Sequence, residues 1–235
     1  MGKFNILHLY PETLRLNGES GNVLALLKRA ELLGLDTSTS FSELGMSLPA
    51  KRPDLIFIGS GVQSATLAVA VDLLAKAKQI RRWVSEGSKV LAVGTGFDLV
   101  SEELVLLDGT VVKGLALTNT SHRITGKHLV GEVVLESDFA GFINSDRTIT
   151  RGTDGFELGR VKHSDDSRLI GYLDGYSDGK VWASNVQGPL LPMNPHLADN
   201  IISAIFPNIK ITSELSELDL LASNARNAIS ARISR

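Results

Sequence analysis

The chain has 235 residues, 43% of them hydrophobic and 21% charged, with a formal net charge of −2, the balance of a globular chain able to bury roughly 70% of its unfolded surface. So small a charge gives no field to gather nucleic acid, no run approaches the about 20 apolar residues that span a bilayer, and the opening Met1-Gly2-Lys3 lacks an apolar leader. A cytoplasmic protein without nucleic-acid or membrane partners is expected, and the absence of cysteine excludes disulfides, thiolate metal sites and thiol nucleophiles together.

In chain order, Phe4-Asn5-Ile6-Leu7-His8-Leu9 reads as a strand that Tyr10-Pro11 ends, because proline offers no ladder donor. Residues 21–34 place Val23, Leu24, Leu27, Ala30, Leu32 and Leu33 opposite Lys28, Arg29 and Glu31, which predicts a crossover helix. A short strand over 37–41 follows, then a buried one over 53–58 that empties into Gly59-Ser60-Gly61. A helix over 64–86 leads to a third buried strand, 89–93, which stops at Gly94-Thr95-Gly96. Strands alternating with long helices imply an α/β fold on a mostly parallel, doubly wound sheet flanked by helices.

The texture changes after Leu99. Residues 104–107 and 111–112 flank the hairpin signal Asp108-Gly109, with further short strands expected at 115–117, 129–135 and 169–172. The polar stretch 144–166 reads as exposed loop, so the middle third should be short, partly antiparallel strands decorating the sheet. A last strand over 180–186 and a helix over 195–206 close a domain spanning 1–207. Within 208–235, Leu215, Leu218, Ala222, Ala225, Ile229 and Ile233 recur at helical spacing, with acids early and arginines late. This C-terminal amphipathic helix must cover its stripe, either on the domain or on a partner.

Two turns are candidate sites. Glycines at Gly59-Ser60-Gly61 could let amides approach a pyrophosphate, but Ser64 stands where a third glycine belongs and no acidic residue follows at ribose distance. The same loop could instead serve as an oxyanion site for chemistry at the neighbouring turn of Gly94, Thr95 and Gly96. Thr95 is the only hydroxyl there, and it has no evident base. His8, His122, His128, His163 and His196 share no metal-type spacing and read as surface or cap residues; Asp165, Asp166, Asp174 and Asp178 read as turn residues. No metal and no cofactor are expected.

Several of these stretches carry a resemblance: Leu9-Tyr10-Pro11, Gly18-Glu19-Ser20-Gly21-Asn22, residues 54–61, residues 90–99, Gly141-Phe142 with Asn144, and Gly188-Pro189-Leu190-Leu191-Pro192-Met193-Asn194-Pro195. Through them, over about residues 6–206, the chain resembles the class I glutamine amidotransferase domain of the cobyric acid synthase (CobB/CobQ-like) type, and within it the GatD branch. That branch supplies the glutaminase subunit of lipid II isoglutaminyl synthase. The resemblance implies a heterodimer with a MurT-like Mur ligase in peptidoglycan synthesis. It also implies a cysteine nucleophile where this chain has Gly94, a histidine base where it has Gln187, and a glutamine-holding arginine where it has His128. With nucleophile and base both replaced, the expected protein is a silent amidotransferase that binds, scaffolds or regulates its ligase, with glutamine binding doubtful. The alternatives are a stand-alone binder of a small anionic metabolite or nucleotide at the two glycine turns, or a glutaminase with an unrecognised nucleophile. On this reading Gly59, Ser60, Gly61, Thr95, Gly96 and His128 are the vestigial oxyanion and pocket residues.

Overall fold

The computed structural model describes residues 2–234. β1 (Lys3–Leu9) crosses through α1 (Ser20–Leu32) to β2 (Asp36–Ser42), and β3 (Leu55–Ile58) crosses through α2 (Gln63–Ser85) to β4 (Lys89–Val93). A short helix, α3 (Thr95–Val100), starts directly behind β4. Then come β5 (Glu103–Val105), β6 (Val111–Lys113), β7 (Thr120–Leu135), β8 (Ala140–Arg151), β9 (Gly159–Ser164), β10 (Leu173–Asp174), β11 (Tyr176–Ser177), β12 (Val181–Ser184) and β13 (Val186–Gln187). Three helices close the chain: α4 (Leu190–Met193), α5 (Pro195–Ile205) and α6 (Ser216–Ile233).

The first sheet has the order β11-β12-β4-β3-β1-β2 and is parallel except where β11 meets β12. Its inner strands β3, β4 and β12 are buried on both faces, the edge strand β2 is not, and the period of two sorts the side chains into two cores. Phe4, Ile6, Leu55, Phe57, Leu91 and Val93 share a core with Val23, Leu26 and Ala30 of α1 and with Leu197, Ile201 and Ile202 of α5. Leu7, Leu9, Ile56, Ile58, Val90 and Ala92 pack instead with Val69, Leu73, Ile80 and Trp83 of α2. This is the doubly wound α/β architecture expected, with a second sheet of order β10-β9-β7-β5-β6 and with β8 joining β7 to β13.

Several expectations for the middle third are corrected. Residues 144–166 are not loop: β8 and β9 occupy most of them, and β8 pairs with β7 from Thr120↔Arg151 to Val134↔Ala140. Its polar side chains misled because one face of an antiparallel ladder can stay open to water. Residues 115–117 form no strand, since the N–H groups of Leu115, Ala116 and Leu117 bond to the carbonyls of Leu99, Ser101 and Val100 behind α3. Residues 169–172 run from the end of a 3₁₀ turn (Ser167–Leu169) to just before the two-residue β10 and form no strand. The expected strand over 180–186 is two strands in two sheets. It breaks at Asn185, where the buried Asp174 accepts from Ser184 Oγ at 2.5 Å and from the Asn185 N–H at 2.8 Å. Asp174 is thus a structural clamp rather than a turn residue, and it aims β13, with Gln187, toward the end of β4.

The C-terminal helix packs back on the fold. Arg29, buried in α1, bonds Asp219 at 2.7 Å and Asp199 of α5 at 2.7 Å, Arg226 donates to the Met193 carbonyl at 2.6 Å, and Arg232 pairs with Glu132. Leu215 and Ala222 are buried, but Ala225, expected inside, is exposed, as are Leu220 and Leu221. No helix among the described residues is long and apolar enough to cross a membrane.

Candidate functional site

Parallel strands deliver their ends to one edge, and there the two glycine turns lie side by side. Gly94 has φ +59° and ψ −124°, a backbone that favours glycine, and it turns β4 abruptly into α3. A Cβ added to it would stand 2.6 Å from Ser60 Cβ and 2.9 Å from Gln187 Cδ, and would meet Ser60 Oγ as well. Any side chain at 94 would therefore project between Ser60 and Gln187. Gly96 serves packing, since its Cβ would fall 2.5 Å from the Ile58 carbonyl and 2.7 Å from that of Gly59. Gly59 and Gly61 likewise admit the chain from Tyr10 to Gly18, their Cβ atoms falling 2.6 Å from Leu14 O and 2.7 Å from Leu14 Cδ2. Gly59 and Gly96 thus have a structural reason in backbone approach, and Gly61 in the packing of the Leu14 side chain.

The polar groups at the turns satisfy one another. Thr95 N–H donates to Ser60 Oγ at 3.2 Å, Gly61 N–H donates to Thr95 Oγ1 at 2.9 Å, and Thr66 Oγ1 donates to the same Thr95 oxygen at 2.9 Å. Two amides at the turns, those of Gly61 and Thr95, are thus engaged within the protein. Overhead, Leu16 N–H donates to the Ser60 carbonyl at 2.9 Å and Asn17 Nδ2 to Gln187 Oε1 at 2.6 Å. Gly59, Ser60, Gly61, Gly94, Gly96 and Gln187 are all buried, and Thr95 is half-buried.

One carboxyl lies beside the turns. Glu19, at the start of α1, is 1% exposed and packs next to Gly59. Its Oε2 accepts from Asn22 Nδ2 at 3.2 Å, and its Oε1 has no partner. Burial pushes its pKa up to about 8 against that one opposing hydrogen bond, so the folded protein holds it mostly neutral at pH 7. It bonds neither Ser60 nor Thr95. No histidine, carboxylate or lysine among the described residues hydrogen-bonds either hydroxyl, and the Gln187 amide carries no titratable proton.

The second polar centre was not anticipated. Asp98, fully buried in α3, bonds His122 Nδ1 at 2.8 Å through one oxygen and accepts from Arg147 Nε at 2.8 Å through the other. Thr120 Oγ1 lies 3.2 Å from His122 Nε2 and 2.8 Å from Thr118 Oγ1. Burial alone would raise the Asp98 pKa, but Arg147 and His122 together hold it below the ordinary carboxylate value. His122 is therefore no surface residue. Nor is His8, 6% exposed with its Nε2 unpartnered, whose pKa burial lowers to about 4. His128 is exposed on β7 and bonds Asn144 rather than either turn, while His163 is half-buried and His196 exposed. Among the described residues, no three histidines or carboxylates gather as metal ligands.

The structure thus joins Gly59, Ser60, Gly61, Gly94, Thr95, Gly96 and Gln187, and leaves His128 outside that hydrogen-bonded group. Sequence reasoning missed Asn17 and Glu19 as neighbours of the turns, although Glu19 stands in one of the stretches that carry the resemblance; Asp98, His122 and Arg147 gave no local signal.

No family model matches the chain. Two curated proteins are similar to it along most of their length, and both are named lipid II isoglutaminyl synthase (glutamine-hydrolyzing) subunit GatD. That of Streptococcus pneumoniae is 27% identical over 207 residues, covering 86% of this chain and 80% of the relative. That of Staphylococcus aureus is 24% identical over 234 residues, covering 93% and 91%. Among solved structures, a glutamine amidotransferase covers 85% of this chain and 98% of its own with a TM-score of 0.52 at 15% identity, a likeness of fold.

Proposed function

We propose that this chain is a GatD-like subunit of a lipid II-amidating assembly, that it has lost glutamine hydrolysis, and that it serves a MurT-like Mur ligase as a binding, scaffolding or regulatory partner. The similarity to two GatD subunits over at least 80% of each supports the assembly and the substrate class. One observation carries the loss of hydrolysis: Gly94 occupies the sharp strand-to-helix turn, and the space its side chain would enter is taken by Ser60 and Gln187. Amide hydrolysis through a covalent intermediate needs an attacking group and a proton carrier, and the turns supply neither.

The rival reading, an anionic ligand cradled by the two glycine turns, gains no support from their geometry. Gly61 and Thr95 already spend their amides, and the Glu19 carboxyl beside Gly59 would repel an anion once ionised. Affinity capture of the tagged chain from its native cell extract tests the subunit reading. A Mur-ligase-like protein recovered in stoichiometric amount is the expected result. Recovery of the chain alone would overturn it.

A further inference from the structure

We infer that Ser60 is the residue that keeps the vacated turn shut, so that the site is closed by position 60 as much as by what is missing at 94 and 187. Both elements of the contact are visible. Ser60 is 3% exposed, and its hydroxyl accepts the Thr95 N–H at 3.2 Å, the amide that opens α3. A Cβ at 94 would meet both Ser60 Oγ and, at 2.6 Å, Ser60 Cβ. Rotating the hydroxyl away would clear the first clash and not the second, because Cβ does not move with its own torsion. The Ser60 backbone cannot easily retreat, as its carbonyl accepts Leu16 N–H at 2.9 Å and Gly59 and Gly61 on either side are packed on Leu14. On the other side stands Gln187 Cδ at 2.9 Å, its amide held by Asn17.

Serine at 60 and a side chain at 94 therefore exclude each other, and the hydroxyl fills the hydrogen-bonding role that a bound carbonyl oxygen would otherwise take at Thr95. The functional meaning rests on the proposed reading of the turn as a former amidase centre; the exclusion itself does not. A thiol returned to position 94 will not find room until residue 60 loses its Cβ.

The test is a double-mutant cycle in the full chain, read by the urea midpoint at constant slope. Gly94→Ala is measured in three backgrounds: native, Ser60→Ala and Ser60→Gly. Left-handed strain at 94 is common to all three and cancels in the differences between them. The midpoint loss in the Ser60→Gly background is expected to be smaller than that in the native background, and the loss with Ser60→Ala, which keeps Cβ, to match the native one. Equal losses in the Ser60→Gly and native backgrounds, or equal relief by Ser60→Ala, overturn the inference. Should no variant at 94 fold, Ser60→Gly alone still decides by amide exchange at Thr95. A rise of at least tenfold is expected, and an unchanged rate contradicts the claim. A glutaminase-active native chain would sink the proposed function while leaving this cycle to stand or fall separately.

Discussion

Two polar centres share one six-residue helix and have opposite characters. At the N-terminus of α3, hydroxyls and amides satisfy each other, and a nearby carboxyl, Glu19, is held mostly neutral at pH 7 with an oxygen unpartnered. Three residues on from Thr95, Asp98 is as deeply buried yet ionised, because His122 and Arg147 meet both of its oxygens. Burial raises a carboxyl's pKa in both places, and partners reverse the outcome in only one. The comparison also warns against locating chemistry by charge: the histidine and carboxylate contact lies in the centre that pins α3 to β7 and β8, and the strand-to-helix turn holds none.

The contrast can be broken most severely at its charged end. Asp98→Ala strands Arg147 and His122 without their shared carboxylate, and breaking a buried pair in this way costs about 3–5 kcal/mol. Equilibrium denaturation should show a large fall in midpoint, and a change near zero would mean that the centre is solvated. Gly96→Ala drives a Cβ into the Ile58 and Gly59 carbonyls, which belong to backbone and cannot swing aside, so a loss of about 1–3 kcal/mol is expected by the same measurement.

The neutral end is probed by pH. Glu19, raised to about 8 when folded, gives stability that is complete below its unfolded pKa and is lost as pH rises toward 8. His8, lowered from 6.5 to about 4, works oppositely, since its contribution is lost as pH falls from 6.5 toward 4. The two slopes oppose one another below pH 6.5, so Glu19 is isolated between 6.5 and 8. There stability should fall by roughly 1–2 kcal/mol with rising pH, and Glu19→Gln should flatten the decline. A decline that survives in the variant would assign it to another group.

Where local pattern governs, the sequence was legible. The branched runs of β3 and β4, the amphipathic α1 and α6 and the Asp108-Gly109 hairpin were each readable from a few neighbouring residues. The polar strands β8 and β9 were not, because their pairing partner β7 and their open face leave no apolar alternation to see. The Asp98 centre was hidden for a different reason: it depends on a register that sets His122 opposite Ile149 and brings Arg147 round to α3, contacts 24 and 49 residues apart in sequence. Positions 94 and 187 were singled out only through resemblance; the contact with Ser60 emerges only from the left-handed backbone at Gly94, which decides where a side chain there would point.

The most direct measurement of the central claim is glutamate release from glutamine by the purified chain, alone and after assembly with a MurT-like Mur ligase. No release above the protein-free rate is predicted in either state. Release that scales with pure protein and is abolished by substituting Gly59 would contradict the account.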